Sequence, residues 1–173
     1  MLVICGASGT GKTATAFEVG QRLQELGIRH AVVDTDELDR VWPLPQRTED
    51  LVAISRQNLS ALWWTFSHLG TERLVLCGVM ASRGESERWI TDAIEDSDVT
   101  YVRLVAERKT REQRLRRREI GSGFQNDMKA SDAAATFIER HDPPEMPRVR
   151  TDGKSVAAVS VEVLRVSNWL DGA

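Results

Sequence analysis

Gly6-Ala7-Ser8-Gly9-Thr10-Gly11-Lys12-Thr13 has the spacing G-x-x-x-x-G-K-[ST] in full. Residues of these types at this spacing are suited to holding phosphate. Backbone N–H groups must turn inward around the anion, through torsions that Gly6, Gly9 and Gly11 reach cheaply. A helix starting near Lys12 would aim the positive end of its dipole at the same charge. Lys12 can reach β- and γ-phosphate oxygens, and the Thr13 hydroxyl can ligate Mg²⁺. The expected ligand is therefore a nucleoside triphosphate with Mg²⁺, bound by residues 6–13.

Asp34-Thr35-Asp36 is the second constellation. Strand alternation sends Asp34 and Asp36 to one side, beside the phosphates. Transfer to a hydroxyl needs one carboxylate near the metal and another to take the acceptor's proton. Asp34 is assigned to the Mg²⁺ water shell with Thr13, and Asp36 to the acceptor. A competing reading makes Asp36 the N-cap of a helix starting at Glu37. The third apolar run ends in Cys77-Gly78-Val79-Met80 and offers no carboxylate for the metal. Arg83, just beyond it, is a candidate for gripping an anionic acceptor or the moving phosphoryl group.

Arg108, Lys109, Arg111, Arg114, Arg116, Arg117 and Arg118 crowd one short stretch in which Leu115 is nearly the only apolar anchor. Such a run is either a solvated helix face or a lid whose arginines close over the phosphates and exclude water. Arg114, Arg117 and Arg118 are the lid candidates, with a hinge at Gly121 and Gly123. Of the tryptophans, Trp63, Trp89 and Trp169 fall on apolar helix faces. Trp42 and Trp64 lie where an acceptor would sit, but core packing is the expectation for them too.

The elements that must position these groups alternate. Apolar runs predict strands at 2–5, 30–34, 73–80, 99–105 and 148–151. Periodicity of 3.6 predicts helices at 12–26, 50–69, 85–94, 110–119, 129–140 and 155–170, with 37–48 irregular. This order implies right-handed crossovers and a parallel sheet covered on both faces. Ligands then bind beyond the carboxyl ends of the strands, where the polar clusters at 6–13, 34–39 and 81–85 gather.

At 173 residues the chain suits a single domain over 1–173. With 41% hydrophobic and 28% charged residues it is of ordinary globular composition. No run is apolar enough to span a membrane, and Met1–Cys5 enters the loop with no signal-peptide pattern, so a cytoplasmic protein is expected. Cys5 and Cys77 read as buried thiols. A net charge of −3 argues against a nucleic-acid partner.

On the motif at 6–13, the Asp34-x-Asp36 pair and the arginine stretch 114–119, the chain resembles the P-loop small-molecule kinases. These include adenylylsulfate, shikimate and gluconate kinases and chloramphenicol phosphotransferase. The resemblance implies an α/β P-loop NTPase fold, a three-layer αβα sandwich whose five-stranded parallel sheet runs 2-3-1-4-5. It further implies a nucleoside-monophosphate-kinase-like lid near 108–128 and an acceptor region near 38–70. Thr151, Asp152 and Gly153 look like the loop that flanks the adenine. The implied activity moves the γ-phosphoryl group of ATP to a hydroxyl or phosphate of a small molecule, in a monomer or homodimer. The alternatives are a nucleotide-binding regulatory ATPase and a nucleic-acid 5′-hydroxyl kinase. No Asn-Lys-x-Asp guanine-reading motif occurs.

Overall fold

Leu2–Cys5 forms strand β1, and all of it is buried. Leu2 and Ile4 pack on one side with Ala16, Val19, Leu23 and Val163, whereas Val3 and Cys5 pack on the other with Leu59, Leu76 and Ile90. The two-residue alternation of a strand thus requires helices on both faces. Burying each such side chain contributes about 1.5–3 kcal/mol.

The computed structural model describes residues 1–78, 83–118 and 123–170, and only the backbone of 83–87. After β1 come α1 (Lys12–Glu25), β2 (His30–Asp34), a one-turn 3-10 helix (Thr35–Glu37) and α2 (Thr48–His68). Then follow β3 (Arg73–Cys77), α3 (Arg83–Ala93), β4 (Thr100–Val105), α4 (Arg108–Arg118), α5 (Phe124–His141), β5 (Arg148–Arg150) and α6 (Val156–Ser167). The strands form one sheet in the order β2-β3-β1-β4-β5, with every neighbouring pair parallel. This is the sheet order implied by the resemblance. All the strands end at one edge, which gathers residues 6–13, 34–39, 78, 106–111 and 151–153 there.

Several boundaries differ from the sequence reading, each for a local reason. β3 stops at Cys77 because Gly78 takes φ +101° and turns the chain out of the sheet. α6 starts one residue after Ser155, whose hydroxyl accepts from Ala158 N–H, and ends at Asn168 in the left-handed region. α5 begins at Phe124 rather than 129. Phe124 lies 4.3 Å under the Arg116 guanidinium and Met128 is buried, so the inner face starts earlier than the polar run Gln125-Asn126-Asp127 suggests. Its far end is fixed by a buried ion pair: Arg103 Nε and Nη2 donate to Asp142 Oδ2 and Oδ1, each at 2.8 Å. Among the described residues, no helix is long and apolar enough to cross a membrane.

Candidate active site

The loop between β1 and α1 is defined by where its carbonyls point. Ala7 O accepts from Thr10 Oγ1 at 2.8 Å, and Ser8 O from Ser131 Oγ on α5 at 2.7 Å. Gly9 O and Thr10 O accept from Arg114 Nη1 at 3.2 and 3.1 Å, and Thr10 O also from Thr151 Oγ1 at 3.1 Å. In a trans peptide the N–H points opposite the C=O. Holding Ser8 O and Thr10 O against α5, α4 and Thr151 therefore turns the N–H groups of Gly9 and Gly11 to the other side, as an anion cradle requires. Gly9 allows α4 to sit against the loop, since a Cβ there would lie 2.9 Å from Arg111 O at φ +84°. Gly11, in the left-handed region, leads directly into α1.

Lys12 follows, buried, with Nζ 3.5 Å from Ala7 O. Burial lowers its pKa, opposed by Asp36 first and then by Cys77 and Asp34. Thr13 Oγ1 donates to Asp34 Oδ2 at 2.8 Å, so the two residues assigned to Mg²⁺ are in contact. Asp34 also accepts from Asp36 N–H at 3.1 Å. Asp34, not Asp36, therefore caps the 3-10 turn, which leaves the Asp36 carboxylate available for the crevice. Asp36 is exposed as a residue, yet burial of its carboxyl against the crevice wall raises its pKa. Lys12 opposes that shift and Asp34 and Asp39 add to it, while Arg118 is close enough to lower it slightly.

The residue that lets the carboxylates converge is Gly78. A Cβ there would stand 2.8 Å from both Asp34 Oδ1 and Asp36 Oδ1, and 2.7 Å from Thr35 Oγ1. The end of the third strand thus contributes space where the sequence offered no carboxylate. Beneath it, Cys77 hydrogen-bonds Asp34, and its thiol is pushed up to about 12 by burial and by the Asp34 charge. Cys5 is pushed up to about 11, chiefly by burial. Both cysteines are free and buried, and neither is a nucleophile at neutral pH.

The arginine helix is neither wholly solvated nor wholly a lid. Arg114, named as a lid residue, is committed to the cradle: besides Gly9 O and Thr10 O it donates to Thr151 Oγ1 and Thr151 O at 2.8 and 2.9 Å. Arg111 is buried and binds Ser131 and Asp132, and Arg108 binds Asp132. Arg118 reaches Asp127 at 3.4 Å. Arg117 is exposed, with no partner among the described residues. Thr151 is buried against the loop, and Asp152 Oδ1 accepts Glu107 N–H at 3.0 Å, so it holds the start of α4. Burial raises the Asp152 pKa, but hydrogen bonds from Thr110 and Glu107 with the Arg150 charge outweigh it and leave the group below its usual value. Gly153 is the loop's turn, at φ +68°. The Arg83 side chain and the hinge at Gly121 lie outside the described residues.

On the acceptor side, Trp42 is 87% and Trp64 63% exposed, which corrects the expectation that both pack in the core. Trp64 stands exposed on α2 beside His68, at 4.3 Å between ring centroids. Trp169 is buried and Trp63 and Trp89 pack against the core. A groove of about 340 Å³, lined by Glu37, Leu38, Asn58, Ala61, Leu62 and Thr65, opens one residue beyond Asp36.

No family model matches the chain, and no curated protein is detectably similar. Solved structures do match. An APS kinase from Mycobacterium tuberculosis, in complex with AMPPNP and APS, superposes with TM-score 0.60 at 23% identity, over 95% of each chain. A gluconokinase from Sinorhizobium meliloti gives 0.62 at 16% identity, over 99% of this chain and 95% of that one. The tunicamycin resistance protein of Deinococcus radiodurans gives 0.61 at 15% identity, over 95% and 94%. The fold is that of P-loop kinases. The resemblance drawn from the motifs is met at that level, across nearly the whole chain.

Sequence reasoning missed Gly78, Ser131 and Asp39. For Gly78 a signal existed, because glycine at the end of a buried strand marks close approach by another group. Ser131 sits in an ordinary polar helix stretch and carried none.

Proposed function

We propose that this chain is a phosphotransferase that moves the γ-phosphoryl group of ATP to a hydroxyl or phosphate of a small molecule. The observation that carries this reading is the convergence of Lys12, the Thr13–Asp34 pair and Asp36 around Gly78, directly in front of a loop whose N–H groups face the same crevice. A nucleotide-binding regulator has use for the loop. It has none for a second carboxylate set in the crevice beside the lysine.

The donor set fits the groups it would hold. Mg²⁺ keeps several waters and takes one or two protein oxygens with phosphate oxygens, which suits one hydroxyl beside one carboxylate. Thr13 and Asp34 would hold it, and when bound it would neutralise charge on the phosphates. Lys12 places a positive charge in a buried setting, where it counts for more than in water. For a hydroxyl acceptor, the bond from γ-phosphorus to the bridging oxygen of ADP breaks and a bond to the acceptor oxygen forms. Asp36 takes the proton that the hydroxyl loses. Arg117 and Arg118 close over the transferring group from α4, while Arg114 positions the cradle. Thr151, Asp152 and Gly153 flank the base, and the groove beyond Glu37 receives the acceptor.

The test is ADP release from purified protein with Mg-ATP, alone and with pooled acceptors covering nucleotides, adenylylsulfate, sugar acids and hydroxylated antibiotics. One pool is expected to accelerate ADP release, and Lys12→Ala is expected to lower that rate by about 10²–10³-fold with the fold intact. Tight ATP binding with no turnover in any pool would contradict the reading.

A further inference from the structure

Thr35 separates the two carboxylates in the chain, and its side chain is tied to the sheet. It is buried, and its Oγ1 donates to the carbonyl of Cys77, the last residue of β3, at 2.9 Å. Asp34 and Cys77 are register partners on adjacent parallel strands, so this bond is made one residue past the last paired position. There β2 gives way to the 3-10 turn that carries Asp36. The backbone of Thr35 is engaged as well, since its carbonyl accepts from Leu38 N–H at 3.1 Å.

Three oxygens converge at the end of β3. The position that a Gly78 Cβ would take lies 2.7 Å from Thr35 Oγ1 and 2.8 Å from each of Asp34 Oδ1 and Asp36 Oδ1. A hydroxyl has one proton to donate, and that of Thr35 is committed to Cys77 O. Neither carboxylate takes a hydrogen bond from it, so the hydroxyl acts on them only through the backbone. Asp34 has ties of its own, to Thr13 Oγ1 and to Asp36 N–H. No side-chain hydrogen bond holds the Asp36 carboxylate among the described residues, and its place depends on the turn.

We propose that Thr35 is a positioning residue, whose hydroxyl bond to Cys77 O fixes the turn that sets Asp34 and Asp36 in front of the P-loop. The roles of the two carboxylates rest on the phosphotransferase reading, whereas their placement rests on this bond. The loop at 6–11 is held separately, by α4, α5 and Thr151. Loss of the Thr35 bond therefore lets the carboxylates shift while the cradle stays as it is.

The experiment compares Thr35→Val, which keeps the shape and removes the donor, with Thr35→Ser, which keeps the donor. Thr35→Val is expected to lower kcat about tenfold with the acceptor pool that most accelerates ADP release. The KM for ATP should change by less than about twofold, as when an interaction is lost in the transition state alone. Mn²⁺ binding in the presence of ADP, followed by electron paramagnetic resonance, should weaken about tenfold, because Asp34 is displaced. Thr35→Ser should restore both kcat and Mn²⁺ affinity. Thr35→Ala takes the place of the valine variant if that one does not fold. A lowered melting temperature with kcat and Mn²⁺ affinity unchanged would make the bond purely structural and overturn the proposal. So would an equal loss of ATP affinity, or a serine variant as impaired as valine. Mn²⁺ binding weakened by valine and restored by serine, in a protein that transfers no phosphoryl group, would uphold the positioning and overturn the phosphotransferase reading instead.

Discussion

The loop at 6–11 and the segment at 38–47 both follow parallel strands at the same sheet edge, and they are built in opposite ways. The carbonyls of Ala7, Ser8, Gly9 and Thr10 each have a donor, drawn from the loop itself, α4, α5 and the turn after β5. Beyond Asp36 the chain is tied near its start, by Asn58 to Leu38 O at 2.6 Å and by Ser55 to Asp39 at 3.1 Å. Val41, Trp42 and Leu44 then stand in solvent. Under the proposed function, the difference follows from what each region would hold. A phosphate chain has one shape, and fixed dipoles aimed at it need no reorganisation during reaction. An acceptor must enter, be enclosed and leave, which an apolar and loosely tied rim permits.

The largest effect is expected where the two regions meet. Asp36→Asn should lower turnover by about 10²–10⁴-fold while nucleotide binding persists. It should also remove the acid limb of the rate profile. That limb belongs above the ordinary carboxylate value of 3.8, because burial raises Asp36, and activity needs the ionised form. The alkaline limb belongs below 10.5, because burial lowers Lys12 and activity needs its charge. Stability carries the opposite sign. A carboxyl whose folded pKa is raised favours folding below its unfolded value and loses that contribution as pH rises through the folded one. Asp36→Asn is thus expected to raise the melting temperature slightly at neutral pH, and a lowered one would place Asp36 in a structural role.

Gly78→Ala comes next. The added methyl would push Asp34 and Asp36 apart, and displacement of about 1 Å at reacting groups can cost about 10²-fold in rate. Normal turnover in that variant would mean the carboxylates need not converge. Ser131→Ala probes the rigid side alone. It leaves Ser8 O and an Arg111 N–H buried without partners, a loss of about 1–3 kcal/mol that thermal unfolding would register together with weaker nucleotide binding. Trp42→Ala probes the soft side and should be the mildest. Stability should stay within about 0.5 kcal/mol while the acceptor KM rises, and an unchanged KM would remove Trp42 from the acceptor site.

The rigid region was also the more legible one in the sequence. Three glycines, a lysine and a threonine at fixed spacing specify a backbone path, and apolar alternation specified the sheet that carries it. The Asp34-x-Asp36 spacing announced the carboxylates because one strand delivers both. Arg114 was visible as a basic residue but not as a strut, since its acceptors lie about a hundred positions away at Gly9 and Thr10. Ser131 was invisible for the same reason. Charge density on α4 suggested a lid, yet the partners on α5 that occupy Arg108 and Arg111 follow from tertiary packing, which local composition does not encode. Trp42 and Trp64 misled because hydrophobic character predicts burial only on average, and both stand exposed.

The most direct measurement follows the label from γ-labelled ATP after incubation with the protein, Mg²⁺ and the acceptor pool that most accelerates ADP release. The expected result is label on a small organic acceptor, in amounts matching the ADP formed, and its absence with Asp36→Asn. Label recovered only as inorganic phosphate, at a rate indifferent to the acceptors, would contradict phosphoryl transfer and leave an ATPase.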